Sequence, residues 1–243
     1  MPGVFLLKVQ SSKIAAVSKP GQFVMIATDF GQERLLRRPV SLHRVEGDQL
    51  HFLLAVVGSG TDWLSRRKTG ERLDILGPAG NGFIVNGNSR RLLLVAGGMG
   101  IAPLVYLADM AVRNGLAVRL LAGSKSSEWL IPSDSISPGV EYQTATEDGS
   151  QGYHGFITSL LEKNTPWADQ IFLCGPQPMY QAIVEKADIW LAAKPTQVSL
   201  EVRMGCAMGI CYSCTIKTLN GLKQVCQDGP VFDFSLVKWD ELR

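Results

Sequence analysis

The stretch Leu92-Leu93-Leu94-Val95-Ala96-Gly97-Gly98-Met99-Gly100-Ile101-Ala102-Pro103-Leu104-Val105-Tyr106-Leu107-Ala108 decides how the chain is read. A membrane span needs about 20 apolar residues. This uncharged run is shorter, and Gly97, Gly98, Gly100 and Pro103 interrupt its middle. It reads instead as a buried strand over 91–96, a glycine turn and a helix over 102–114. Working outward, 117–122 is strand-like again, and 140–145, 156–162, 170–174 and 179–190 continue an alternation of strands and helices. That alternation predicts a parallel sheet wrapped by helices, closed at Lys194-Pro195.

Upstream the pattern differs. Residues 22–27, 40–45, 50–57 and 73–76 are short runs rich in apolar and β-branched side chains, bounded by Gly, Asp and Pro. Gly47-Asp48 predicts a hairpin, Gly77-Pro78 is expected to end the fourth run, and 61–68 is expected to be a short helix. Such spacing predicts a small antiparallel barrel or sandwich, and the short N-terminus is expected to abbreviate its first strand. Asn86-Gly87-Asn88-Ser89 reads as a linker, and the residues beyond 196 are rich in Cys and Gly, with too little apolar content for an ordinary core. The expectation is a multidomain α and β chain with limits at 1–88, 89–196 and 197–243.

Composition bounds the function. At 46% hydrophobic and 19% charged, the chain is not a disordered one. With 24 Lys+Arg against 22 Asp+Glu, its charge is too balanced for a nucleic-acid or membrane-surface binder. The first residues lack the regions of a signal peptide, and the clustered cysteines disfavour an extracellular disulfide framework, so a reducing, cytoplasmic setting is expected. His43, His51 and His154 are scattered and read as structural or surface residues.

The strongest chemical signal is Cys206-Ala-Met-Gly-Ile-Cys211-Tyr-Ser-Cys214, followed by Cys226. Its first three cysteines have the plant-type spacing for a [2Fe–2S] cluster. Two irons need four thiolates, and one loop supplies three only if its backbone curls; Gly205 and Gly209 allow this. A four-cysteine zinc site, which more often shows two close pairs, and free or disulfide-paired cysteines stand as alternatives. Cys174 reads as a small buried residue. Gly97-Gly98-Met99-Gly100 sits where a pyrophosphate meets a helix start, and Cys174-Gly175-Pro176-Gln177-Pro178-Met179 makes a second such turn. In a parallel sheet both fall at the carboxyl edge, where ligands bind. Each alone reads equally as a packed turn. Arg37-Arg38-Pro39-Val40-Ser41 offers a guanidinium and a hydroxyl to a phosphate, or else a solvated face.

The order of these pieces resembles the ferredoxin–NADP reductase superfamily. The segments 198–206 and 225–232 resemble, more narrowly, the electron-transfer subunits of class 1B dihydroorotate dehydrogenases. The resemblance runs from about Pro20 to Trp239. It implies an antiparallel β-barrel FAD domain, an α/β parallel-sheet NAD domain and a small C-terminal [2Fe–2S] domain. Arg38, Pro39, Val40, Ser41, Ala55, Val56, Val57, Gly60 and Thr61 would hold FAD, with Arg38 toward the pyrophosphate and Ser41 toward N5. Gly97, Gly98, Gly100, Cys174 and Gly175 would receive NAD, with Cys174 near the nicotinamide and 146–150 as a further loop on that edge. Cys206, Cys211, Cys214 and Cys226 would be the iron ligands. An FMN-bearing dihydroorotate dehydrogenase catalytic subunit would be the partner, two of each forming a heterotetramer in pyrimidine biosynthesis, and Met204, Met208, Ile210 and Tyr212 would be candidates for its docking surface.

The chain departs from the wider superfamily at Val40, where many members carry an aromatic residue, at Val202, where relatives often have Glu, and at Ser59, where a basic residue is common. Two other readings stand beside this one: an NAD(P)H-dependent flavin/iron–sulfur reductase subunit of another complex, such as a hydrogenase or transhydrogenase, and a zinc-stabilised binding module. NAD and NADP are not distinguished by the residues around Ser124-Lys125-Ser126-Ser127.

Overall fold

The computed structural model describes residues 1–28 and 36–242. The N-terminal part contains β1 (Val4–Gln10), α1 (Ser12–Ala15), β2 (Phe23–Ile26), β3 (Arg38–Ser41), β4 (Arg44–Glu46), β5 (Gln49–Ala55), α2 (Ser59–Ser65) and β6 (Ile75–Ala79). The strands form two three-stranded antiparallel sheets, ordered β1-β5-β4 and β3-β2-β6. The run 40–45 is thus not one strand. Leu42 N donates to Gln22 O and His43 N to His51 O, so the chain leaves one sheet and enters the other between them. Val24, Ile26, Val40, Leu42, Leu50, Phe52 and Leu64 fill the space between the sheets.

Gly47-Asp48 forms the expected hairpin, with Glu46 paired to Gln49 and Gly47 at φ 59°, where a side chain would be strained. Two expectations are corrected. The first strand is not abbreviated: β1 pairs with β5 over seven residues, from Val4 opposite Ala55 to Gln10 opposite Gln49. Gly77-Pro78 lies inside β6 rather than ending a strand at 76, because β6 follows β2 past an irregularity in register.

The second part contains β7 (Arg91–Gly97), α3 (Ile101–Arg113), β8 (Ala117–Ser124), β9 (Val140–Thr146), β10 (Tyr153–His154), α4 (Leu161–Asn164), β11 (Gln170–Cys174), α5 (Gln177–Glu185), α6 (Ala187–Trp190) and β12 (Thr196–Ser199). These six strands are parallel in the order β10-β9-β8-β7-β11-β12. Leu92 to Gly97 are all buried, as expected of a strand covered on both faces. The strand order reverses between β7 and β11, so the crevice at their carboxyl ends is the ligand position of an open α/β sheet.

The last part adds β13 (Thr215–Thr218) and β14 (Gly221–Gln224), a hairpin, and β15 (Val231–Asp233). β15 pairs antiparallel with β12 and becomes the seventh strand of the large sheet. The limit expected between 196 and 197 falls inside β12, and the cysteine segment is stitched into the sheet by the strand that follows it. Gly80 also abuts this segment: a Cβ there would lie 2.5 Å from Gly229 O.

One face of α3 forms the seam to the N-terminal sheets. Ala102, Tyr106 and Asp109 recur at helical spacing, which places them in one stripe. His43 Nδ1 lies 3.0 Å from Ala102 O, Tyr106 Oη donates to Ser18 O at 3.1 Å, and Arg44 Nε donates to Asp109 Oδ2 at 2.6 Å. Burial lowers the His43 imidazole from its ordinary 6.5 to about 4. Above 6.5 both the folded and unfolded chains hold it neutral. As pH falls through 6.5, only the unfolded chain takes up the proton, and stability is lost until the folded pKa is reached. The urea-unfolding free energy is expected to fall by about 2 kcal/mol from this group between pH 7.5 and 5. A His43→Asn variant is expected to lack that share of the loss, and equal pH slopes in parent and variant would refute the assignment.

Candidate functional site

A cavity of about 1450 Å³ opens between the two N-terminal sheets, the edge of the parallel sheet and the cysteine loop. It exceeds the roughly 300–1,000 Å³ of an ordinary small-molecule pocket and suits a dinucleotide-sized occupant. Arg38, Pro39, Val40 and Ser41 of β3 line it, as do Ala55, Val57 and Thr61. Across from them stand Met99 and Ala102 from the glycine turn, Leu200 to Met204 after β12, and Ser213 and Cys214 of the cysteine loop.

The two arginines of the motif differ. Arg37 Nη2 donates to Asp74 Oδ2 at 2.6 Å, and this bond holds the Asp74 carboxyl below its usual range. Arg38 Nη1 donates to the Leu36 carbonyl at 2.6 Å, and among the described residues no carboxylate pairs with it. Its charge therefore remains to be met by an anion in the cavity. Gly60 packs directly on it, since a Cβ there would come within 2.6 Å of Arg38 Nε. Thr61 works on its own loop: Oγ1 accepts from Val57 N at 2.9 Å and Gly58 N at 3.2 Å. Val56 and Gly60 are not in the cavity wall, which the sequence motif did not reveal.

At the switch point the two glycine turns pack against each other. A Cβ on Gly100 would lie 2.1 Å from Cys174 O, one on Gly97 2.7 Å from Pro176 Cδ, and one on Gly175 3.0 Å from Gly97 N. These three glycines thus serve turn-to-turn contact. Gly98 differs: at φ 52° it needs glycine's freedom, and a Cβ would meet nothing within 4 Å. It is the member of the turn open to a ligand. Cys174 ends β11 fully buried, and burial pushes its thiol well up. Beside it, Tyr180 Oη accepts from Gly175 N at 2.8 Å and donates to Ser199 O at 2.7 Å. A smaller cavity of about 140 Å³ adjoins this turn, lined by Gly175, Gln177, Tyr180, Glu201 and Leu242 among others. Glu201 borders both cavities, and desolvation raises its carboxyl pKa although the residue is exposed.

The cysteine loop presents Cys211 exposed, Cys206 half-buried, and Cys214 and Cys226 buried; none is in a disulfide. The thiols come as two pairs. Cys206 neighbours Cys211, and Cys214 neighbours Cys226. Among the described residues no three such donors converge on a single ion, whereas two pairs fit the two irons of a [2Fe–2S] cluster. The Ser213 hydroxyl, aided by its amide, holds the Cys211 thiol down to about 6, toward the thiolate that a metal takes. Burial pushes Cys226 up. Backbone N–H groups reach the sulfurs, with Met208 N 3.3 Å from Cys206 Sγ. Gln224 and Gln227 brace the loop through the carbonyls of Gly209 and Ala207, each at 3.0 Å. The curl is only partly glycine-borne: Gly209 is at φ 75°, but Ala207 and Tyr212 also sit at φ 55° and 57°, and Gly205 does not.

The iron–sulfur cluster binding domain of dihydroorotate dehydrogenase B matches residues 201–238. The dihydroorotate dehydrogenase B (NAD(+)) electron transfer subunit of Geobacillus sp. (strain WCH70) is 35% identical, covering 94% of this chain and 90% of that protein. Its counterpart in Desulforamulus reducens is 34% identical over 98% of this chain and 94% of the relative. The solved structure of an NADH-dependent reduced ferredoxin-NADP oxidoreductase, described in terms of flavin-based electron bifurcation, superposes with a TM-score of 0.86 at 29% identity, covering 98% of this chain and 86% of that one. A ferredoxin NADP+ reductase of Neisseria gonorrhoeae, 18% identical with a TM-score of 0.65 over 78% of this chain and 86% of that one, shares the fold. Fold and relatives define an oxidoreductase electron-transfer subunit of the ferredoxin–NADP reductase type. The chain belongs to the family of dihydroorotate dehydrogenase B (NAD(+)) electron transfer subunits.

Proposed function

We propose that this chain carries electrons from a dihydroorotate-oxidising, FMN-bearing subunit through a [2Fe–2S] cluster and FAD to NAD+, in pyrimidine biosynthesis. One observation carries the reading: a single cavity has the Arg38–Ser41 strand on one wall and Cys214 on another. A flavin accepts electrons singly or in pairs, which is the chemistry required between a one-electron cluster and a two-electron nicotinamide. Residues 1–88 form the FAD domain, 89–196 the NAD domain and 197–243 the cluster domain, the last two sharing β12 and joined through β15 in one sheet. Arg38 meets the FAD pyrophosphate, with Gly60 leaving room for its guanidinium. Pro39, Val40, Ser41, Ala55, Val56, Val57 and Thr61 shape that site, with Val56 and Thr61 acting through the loop backbone.

Gly97, Gly98, Gly100, Cys174 and Gly175 form the NAD turn pair. Gly98 is the direct approach, and Cys174 acts from behind the wall. Cys206 and Cys211 bind one iron, Cys214 and Cys226 the other. Met208, Ile210 and Tyr212 are 56%, 71% and 69% exposed around the cluster loop, which supports a protein surface there for the catalytic partner. Two copies of each subunit acting in the cytoplasm complete the reading. Among the described residues no helix is long and apolar enough to cross a membrane.

The likeness to the NADH-dependent reduced ferredoxin-NADP oxidoreductase favours, as a second reading, service in another NAD(P)H-linked complex. Co-expression with the catalytic subunit, followed by flavin, iron and sulfide analysis and an assay of dihydroorotate-driven NAD+ reduction, separates the two. The main reading expects FAD, two irons per chain and NADH formation. A complex loaded with flavin and cluster that forms no NADH from dihydroorotate would sink it.

A further inference from the structure

The seam between α3 and the N-terminal sheets holds a buried imidazole that no step above uses. His43 is 3% exposed and stands two residues beyond Ser41. Its Nδ1 lies 3.0 Å from the carbonyl of Ala102, in the first turn of α3 and close after Gly98 and Gly100. A carbonyl only accepts, so Nδ1 carries the proton and His43 is the donor. Ala102 and Met99 face Ser41 and Arg38 across the large cavity. The bond therefore joins the two walls by a short covalent path on either side. The other seam bonds, at Tyr106 and Asp109, lie one and two helical turns further from the glycine turn.

We propose that His43 is a positioning residue: by fixing Ala102 to the end of β3, it sets the gap between the Arg38–Ser41 strand and the Gly97–Gly100 turn while touching neither ligand. This rests on the function proposed above. A leucine at 43 would fill similar space, and the carbonyl would keep only its helical bond within α3 and lose its tie to β3, so the glycine turn would drift relative to β3. An asparagine keeps an N–H donor near the place of Nδ1.

The test uses the flavin- and cluster-loaded protein as purified. His43→Leu is expected to retain flavin and iron and to keep its KM for NADH, while kcat for NADH-driven dye reduction falls roughly ten- to a hundredfold, the scale set by a misplacement of about 1 Å. Amide hydrogen exchange over 99–104 is expected to quicken, and His43→Asn to recover most of kcat. An unchanged kcat in loaded His43→Leu overturns the proposal. So do losses in the Leu and Asn variants that simply follow their melting temperatures, which would mark a structural role. If His43→Leu does not fold, His43→Gln, whose donor is displaced by a methylene, decides: lowered kcat at constant KM supports the role, and unchanged kcat refutes it. A parent protein with no NADH–dye activity would indict the functional reading itself.

Discussion

Cys211→Ala is expected to strip iron and inorganic sulfide from a folded chain and to reduce partner-driven NAD+ reduction to background, while NADH-driven dye reduction persists. Cys211 is exposed, so its side chain contributes little to the core and the variant tests chemistry rather than folding. Its neighbour Cys206 would be left without its pair, and one iron would have a single protein ligand. The Arg38–Ser41 strand and the two glycine turns lie on other segments and are untouched. Cys226→Ala would be a poorer test, because Cys226 is buried with Ile216 and Val225 and its loss opens a cavity. Elemental analysis, the visible spectrum and the two assays read the outcome. Loss of both activities in a folded, flavin-retaining variant would show that the cluster does not precede the flavin. Full partner-driven activity would show that Cys211 is not a ligand.

The legible parts of this molecule were those with local signatures. The charge-free run before Gly97 announces a doubly covered strand because both faces must be apolar. Gly47-Asp48 announces a hairpin because few other residues accept its dihedrals. The cysteine spacing announces a two-iron loop because three donors must come from one curl. What was hidden depends on contacts between distant segments. β15 is three residues long, and nothing in Val231–Asp233 tells that it will pair with β12. The crossing at Leu42-His43 is invisible because no glycine or proline separates Ser41 from Arg44. Gly97, Gly100 and Gly175 looked like phosphate-turn residues, yet they are glycine because two turns touch. Their packing alone calls for glycine at these three positions. Ala207 bears left-handed backbone that its side chain disfavours, held by a bond from Gln227 to its carbonyl that only the fold brings near.

The same long-range character makes Arg44→Met the substitution with the largest expected effect on stability, a loss of about 3 kcal/mol. Arg44 and Asp109 are 65 positions apart, and their side chains are 19% and 4% exposed. Besides the bond from Arg44 Nε to Asp109 Oδ2, Arg44 Nη2 donates to Ser135 O at 2.7 Å, and Ser137 Oγ donates to Asp109 Oδ1 at 2.6 Å. Removing the guanidinium leaves a buried carboxylate with one hydroxyl donor and a carbonyl with none. Breaking a buried pair this way costs roughly 3–5 kcal/mol, and partial access of water to Arg44 argues for the lower end. Replacing both partners removes the stranded charge, so Arg44→Met with Asp109→Leu is expected to recover most of the loss. Urea unfolding of the two single variants and the double variant closes the cycle. A single-variant loss below about 1 kcal/mol would mean that the pair behaves as a surface bridge. A double variant no better than Arg44→Met would mean that shape, not charge, fills the seam. Because Asp109 lies on the α3 stripe that also carries Ala102, a loosened seam at this end leaves the His43 bond to hold the glycine turn with less support.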